Sequence, residues 1–265
     1  MHPVIFQLGY FKLPAYGLLA AVGYLGAILY IFRKAGNAGF RKEDVSDVVF
    51  YSVLCGMFGA KFFYAVTYWR DFGTDTAERL LYLLKNFRYG FVFYGGLLGG
   101  LAAFFLTARR KLRDWPRAAD IFAPAVALGH AFGRIGCFLA GCCHGSPTSC
   151  ALSVTFTDPA SEVAPQYLGI PIHPTQLYES AGNVVIFLIL NAALSRALKG
   201  RLPAGTVTVL YALLYSALRF SLEFLRGDDR GAFTLGLSPA QFLSCAIFTA
   251  AAVYLGIVKR NYEKK

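Results

Sequence analysis

Seven apolar stretches of roughly twenty residues follow one another along this chain of 265 residues, and several carry ionisable side chains in their interiors. A run of that length, wound as a helix, matches the hydrocarbon thickness of a bilayer. Only helices and closed barrels satisfy every backbone polar group inside lipid, so the pattern restricts the chain to an all-α, polytopic membrane fold. Composition agrees: 56% of residues are hydrophobic and 15% charged, against about 45–50% and about 25% in soluble domains. The 16 Tyr and 24 Phe suit a chain that meets lipid and its interface. Spans are expected over residues 14–32, 45–66, 90–108, 120–140, 177–195, 204–224 and 238–257, forming one integral membrane domain over 1–265.

The net charge of +11 would suggest nucleic acid in a soluble protein. Here the basic residues sit in short segments between alternate spans. Arg33, Lys34, Arg41 and Lys42 fill the first, and Arg109, Arg110, Lys111, Arg113 and Arg117 the third. Arg196, Lys199 and Arg201 fill the fifth, and Lys259, Arg260, Lys264 and Lys265 the tail; together these segments hold 16 of the 26 Lys and Arg residues. The positive-inside rule places them in the cytoplasm, with the N-terminus outside and the C-terminus inside. A nucleic-acid partner is therefore not expected. Residues 142–175 contain no Lys or Arg and are rich in Pro, Gly, Ser and Thr, which predicts a small extracytoplasmic loop region. Residues 67–89, with Arg70, Arg79, Lys85 and Arg88 among leucines, read either as an amphipathic arm at the interface or as an ordinary surface helix. Met1 to Phe11 has no basic residue, so the first apolar run is expected to remain as a span rather than serve as a cleaved leader.

Ionisable groups at membrane depth mark functional sites by default. Arg134 and Arg219 are placed at such depth, and Lys61 is a third candidate. Arg134 lies in Gly133-Arg134-Ile135-Gly136-Cys137-Phe138-Leu139-Ala140-Gly141-Cys142-Cys143-His144-Gly145, at the outer end of the fourth span. Its glycines permit irregular backbone, and an arginine fork pairs with two phosphate oxygens at once. Arg134 reads either as a phosphate binder or as half of a buried pair with Glu179 or Glu223, and the two readings are compatible. A second constellation, His173-Pro174-Thr175-Gln176-Leu177-Tyr178-Glu179, opens the fifth span. It puts Gln176 and Glu179 on one helix face near Asn183, for which a fixed structural role is expected. In the third, Arg219-Phe220-Ser221-Leu222-Glu223-Phe224-Leu225-Arg226-Gly227-Asp228-Asp229, an Arg219–Glu223–Arg226 line reads as a receptor for a phosphodiester head group or as a helix-end ion-pair ladder. Gly56 and Gly59, with Gly95, Gly96, Gly99 and Gly100, permit close helix packing or unwound backbone.

Six cysteines stand at 55, 137, 142, 143, 150 and 245. The C-x4-C-C-H spacing over 137–144 lacks the separated knuckles of a structural zinc site, so no metal or cofactor is expected. A disulfide in the external loop, for instance between Cys143 and Cys150, and a reactive thiol at Cys142 or Cys143 beside Arg134 and His144, are alternatives. Cys55 and Cys245 read as small packing residues.

Taken in order, Tyr16-Gly17, Gly95-Gly96-Leu97-Leu98-Gly99, Gly133-Arg134-x-Gly136, His173-Pro174-Thr175-Gln176-Leu177-Tyr178-Glu179 and Arg219-Phe220-x-x-Glu223 resemble the prolipoprotein diacylglyceryl transferase family along nearly the whole chain. The resemblance implies a seven-span bacterial inner-membrane enzyme with its active site toward the outer face. Such an enzyme moves diacylglyceryl from phosphatidylglycerol, or another anionic phospholipid, to the cysteine of a prolipoprotein signal peptide or another acceptor. It implies that Arg134 contacts the head group, that Arg219 is the essential late arginine with Glu223 as its partner, and that Tyr16 and Gly145 are the early tyrosine and the glycine closing the signature. Gly95, Gly96, Cys137, Cys142, His173, Gln176, Glu179 and Arg226 complete the expected substrate-binding set.

This chain departs from the family at the chemistry. Tyr94 stands where the family has histidine, Cys137 and Ala140 where it has asparagines, and Cys142 where it has glutamate. A phenol, ordinarily near pKa ~10, matches a thiol near ~8.5 poorly as a base; Tyr94 is nonetheless expected at the catalytic centre, orienting the acceptor. The departures suit a paralogue that uses the same donor with another acceptor, or a lipid-binding membrane protein without catalysis. The retained arginines suit the transferase.

Overall fold

Helices carry most of the computed structural model, which describes residues 3–8, 11–87, 90–228, 231, 233 and 235–262, and not the side chains of 11 and 258–262. Arg88, Asp229, Lys264 and Lys265, and the side chains of Lys259 and Arg260, lie outside the described residues. A short antiparallel hairpin, β1 (Val4–Leu8) and β2 (Phe11–Pro14), precedes helix α1 (Ala15–Asn37). Then come α2 (Lys42–Thr67), a 3-10 turn (Trp69–Phe72), α3 (Thr76–Lys85), α4 (Phe93–Lys111) and α5 (Trp115–Ala140). A loop holding the two-residue strands β3 (Val154–Thr155) and β4 (Pro171–Ile172) leads to α6 (Thr175–Leu198), α7 (Thr206–Leu222) with a 3-10 turn (Glu223–Leu225), and α8 (Pro239–Tyr262).

Among the described residues, six helices are long and apolar enough to cross a membrane: α1, α2, α5, α6, α7 with its 3-10 extension, and α8. Helix α4, whose last turn holds Arg109, Arg110 and Lys111, is not among them. The chain is a mostly helical, multi-pass membrane protein.

Two compact units divide the chain: residues 1–31 with 119–265, and residues 32–118. In the second unit, α2 and α4 approach at their glycines. A Cβ on Gly59 would fall 2.4 Å from the Gly95 carbonyl oxygen, and one on Gly99 2.4 Å from that of Cys55. Close helix packing is thus the role of these residues. Lys61 is held in the same unit, its Nζ 3.2 Å from the Asn86 carbonyl oxygen and 5.2–5.5 Å from the ring centres of Tyr64, Phe87 and Phe91. Helix α3 begins in a capping box: Asp75 accepts from Glu78 N at 2.8 Å, and Glu78 accepts from Thr74 N at 2.8 Å. Its Leu80, Leu81 and Leu84 are exposed.

In the first unit, buried Asp120 accepts from Gly205 N (2.7 Å), Thr208 N (2.8 Å) and Thr208 Oγ1 (2.9 Å). The carboxylate satisfies the orphan donors that open α7 and faces the positive end of its dipole. Glycine lets α1 lie against α5: a Cβ on Gly23 would fall 2.8 Å from Phe132 Cβ and 2.9 Å from the Gly129 carbonyl oxygen. Residues 154–172 fold over a small apolar core of Phe156, Val163 and Ile172, so the polar loop has a hydrophobic centre of its own.

Candidate active site

Helix α5 presents His130 and Arg134 one turn apart, so both face the same neighbour. That neighbour is Glu179 on α6. Arg134 Nε lies 3.0 Å from Glu179 Oε2, and His130 Nε2 lies 3.5 Å from Oε1. Arg134 Nε also donates to His130 Nε2 at 3.1 Å, and Tyr215 on α7 donates to Glu179 Oε1 at 3.2 Å. Glu179 is buried and Arg134 nearly so, so each charge answers the other where an isolated one would be costly. Of the two carboxylate partners expected for Arg134, the structure selects Glu179.

Glu223 belongs to a second pair. Arg219 Nη1 donates to Glu223 Oε2, and Glu223 Oε1 accepts from Ser238 Oγ at 2.6 Å. Ser238 is the N-cap of α8: its hydroxyl accepts from Gln241 N (3.3 Å) while Gln241 Oε1 accepts from Ser238 N (3.0 Å). His130 and Tyr215, with ring centres 5.1 Å apart, stand one turn before Arg134 and Arg219 on their helices, so the two arginines lie on the helix faces that these rings bring together.

At the end of the expected Arg219–Glu223–Arg226 line, Arg226 has a second carboxylate partner. Helix α7 tightens into a 3-10 turn at Glu223, Arg226 is extended, and its guanidinium grips Asp228 through two bonds, Nε to Oδ1 at 2.8 Å and Nη2 to Oδ2. Burial opposes the charge on Arg226, and the Asp228 carboxylate outweighs it, holding the guanidinium above the ordinary arginine range.

The signature loop is strapped down by backbone bonds. Gly145 N donates to His173 O (3.0 Å), His173 N to Ser146 O (3.0 Å), Ser146 N to Leu225 O (2.9 Å) and Gly227 N to His144 O (3.1 Å). A Cβ on Gly145 would fall 2.4 Å from His173 O and 2.9 Å from Leu225 O, which is why glycine closes the signature. Gln176 Nε2 donates to Cys142 O (2.7 Å) and Thr175 Oγ1 to Cys143 O (2.9 Å), so the opening of α6 fixes the cysteine pair. Asn183 takes the expected structural part, donating to Glu179 O at 2.8 Å. Tyr16, at the start of α1, lies against Gly136, where a Cβ would fall 3.1 Å from its Cα.

Tyr94, Gly95 and Gly96 lie in the other unit, where Gly95 and Gly96 pack on α2. All six cysteines are free, so the Cys143–Cys150 disulfide considered above is not formed. Cys150 is exposed, whereas Cys143 is half-buried in the strapped loop. Sequence reading missed His130, Tyr215 and Ser238. The first two had a signal, because each stands one turn before a marked arginine. Ser238-x-x-Gln241 before an apolar run has the form of a capping box.

Residues 3–257 match the prolipoprotein diacylglyceryl transferase family. This chain belongs to that family. It is 34% identical over 264 residues to the phosphatidylglycerol–prolipoprotein diacylglyceryl transferase of Clostridium tetani, covering 100% of this chain and 98% of that relative. It is 36% identical over 268 residues to the enzyme of that name from Vibrio cholerae, covering 99% and 92%, and 35% identical over 268 residues to that of Pseudoalteromonas atlantica, covering 98% and 90%.

Proposed function

We propose that this chain transfers the diacylglyceryl group of phosphatidylglycerol to the cysteine thiol of a prolipoprotein. Family membership along nearly the whole chain supports the reaction class, and the names of the relatives supply donor and acceptor. The observation that carries the reading to particular residues is the pair of buried arginine–carboxylate contacts, Arg134–Glu179 and Arg219–Glu223, around His130 and Tyr215.

In this reading the lipid enters sideways with its acyl chains in the bilayer, and Arg134 and Arg219 take the phosphate between them. The contacts of Arg134 among the described residues run through Nε, leaving its Nη groups for phosphate oxygens. The acceptor thiolate attacks the glycerol carbon that bears the phosphate. An S–C bond forms, the C–O bond breaks, and its electron pair leaves on the phosphate of glycerol phosphate. The guanidiniums accelerate this step to the extent that they bind the departing phosphate more strongly than the ground-state ester. Glu179 and Glu223 keep the arginines oriented and neutralised before the lipid arrives. Gly145, His173 and Gln176 brace the signature loop that follows Arg134, and Tyr16 packs on Gly136 two residues beyond that arginine.

The same reading makes α4 the seventh span, 142–175 an extracytoplasmic region, and the N-terminus external in a bacterial inner membrane. The basic segments between alternate spans support that orientation.

The test is incubation of the purified protein with phosphatidylglycerol labelled in its acyl chains and a lipobox peptide. A labelled thioether-linked peptide is expected. A new labelled lipid without labelled peptide would point to another acceptor, and lipid binding without turnover to a non-catalytic protein.

A further inference from the structure

Spacing alone gave no metal site at Cys137, Cys142 and Cys143, but the fold draws the three thiols together: their Sγ atoms all lie within 4.8 Å of one another. Four features build this cluster. Cys137 closes the last turn of α5, where Gly141 N donates to Cys137 O at 2.8 Å. Gly141 (φ 92°) and Cys143 (φ 57°) are both left-handed, and these two reversals around Cys142 fold a C-x4-C-C segment back on itself. The left-handed φ favours glycine at 141, and a Cβ there would also sit tightly, 3.1–3.2 Å from Ser161 and the backbone of Glu162 and Val163. Finally, Gln176 and Thr175 pin the carbonyls of Cys142 and Cys143.

A tetrahedral zinc with bonds of about 2.3 Å separates its sulfur ligands by about 3.8 Å, so sulfur separations must close by at most about 1 Å for the cluster to chelate. No fourth protein ligand joins it among the described residues. His144 has both ring nitrogens engaged, Nδ1 with Gly145 O at 3.0 Å and Nε2 with Ala164 N at 3.4 Å. Three protein ligands with one open position is the arrangement of a catalytic zinc rather than a structural one. Arg134 and Arg226 lie within electrostatic reach of Cys143, which offsets the negative charge of a thiolate-bound ion.

We propose that Cys137, Cys142 and Cys143 bind one Zn2+ whose open position takes the acceptor thiol and presents it as a thiolate. The inference rests on the transferase reading above. The acceptor R–SH loses its proton to solvent on coordination, as thiols do on metals. Its sulfur then attacks the glycerol carbon, the C–O bond breaks with its electron pair going to the phosphate, and the resulting thioether, now neutral, leaves the metal. The ion would supply the thiolate without a general base, which gives a chemical reason for cysteines to occupy this stretch of a thiol-alkylating enzyme.

The experiment uses the full-length protein in detergent, reduced and freed of metal, then titrated with Co2+. Expected are one ion per chain, a thiolate-to-cobalt charge-transfer band in the near ultraviolet, and intense tetrahedral d–d bands. A lipobox peptide with its cysteine should shift the d–d bands, and the same peptide with serine should not. Cys142→Ser and Cys143→Ser should abolish the charge-transfer band; Cys150→Ser and Cys245→Ser should keep it. Absence of the band in the reduced wild-type chain overturns the site, as does its survival in Cys142→Ser and Cys143→Ser. Should those variants fail to fold, the peptide titration of the wild-type chain decides, and unshifted d–d bands overturn acceptor activation.

Chelation should lower diacylglyceryl transfer about 100-fold, reversibly by Zn2+. Full transfer by stripped protein overturns the inference and leaves the transferase reading standing. A cobalt spectrum with no transfer by either form overturns the transferase reading and leaves the metal site.

Discussion

Ser238 donates its hydroxyl to Glu223 at 2.6 Å while the same oxygen caps α8 by accepting from Gln241 N at 3.3 Å. The carboxylate that orients Arg219 is thereby fixed by the first turn of another membrane helix. Ser238→Ala removes one hydrogen bond to a charged group, worth about 1.5–3 kcal/mol. The expected result is a 10- to 100-fold fall in kcat with a smaller change in KM, and recovery in Ser238→Thr. Steady-state transfer assays on the two variants check it.

Glu179 anchors Arg134, accepts from Tyr215 and faces His130. Glu179→Leu leaves a buried guanidinium uncompensated, which costs about 3–5 kcal/mol. The expected outcome is a large loss of stability in detergent, partly restored by adding Arg134→Leu. Equilibrium unfolding of the two variants measures both effects.

Asp120 accepts three bonds at the opening of α7, far along α5 from Arg134. Asp120→Ala orphans those donors and is expected to cost about 2–4 kcal/mol. A lowered thermal midpoint with a near-normal kcat at low temperature would separate this structural role from the chemistry.

Gly59 and Gly36 give opposite expectations. A Cβ at Gly59 meets the Gly95 carbonyl oxygen at 2.4 Å, whereas one at Gly36 meets nothing within 4 Å. Gly59→Ala should destabilise by about 1–3 kcal/mol through forced separation of α2 and α4. Gly36→Ala should be neutral or stabilising, since alanine is the better helix former. Thermal unfolding of the pair in detergent discriminates them.

Much of this was legible in the sequence because membrane helices announce themselves. The apolar runs carried the helices, the glycine runs of α2 and α4 carried their close approach, and Arg134, Arg219 and Glu223 stood out as charges in apolar surroundings. What was hidden depended on backbone reversal or on a neighbour distant in sequence. Two left-handed residues bring Cys137, Cys142 and Cys143 together, and ligand spacing does not encode that. Asp228 captured Arg226 because α7 tightens at Glu223, which helical periodicity does not foresee. His130 and Tyr215 are single polar rings in apolar runs, which the sequence does not distinguish from packing residues.

In the proposed reaction Arg134 and Arg219 hold one phosphate between them. A double-mutant cycle of Arg134→Lys and Arg219→Lys, read as kcat/KM for transfer from phosphatidylglycerol to a lipobox peptide, tests it most directly. Each single variant is expected to lose about 100-fold, because lysine cannot reproduce the planar fork, and the double variant should lose clearly less than the product of the two. Folded variants that keep full activity, or losses that multiply fully, would contradict a shared phosphate.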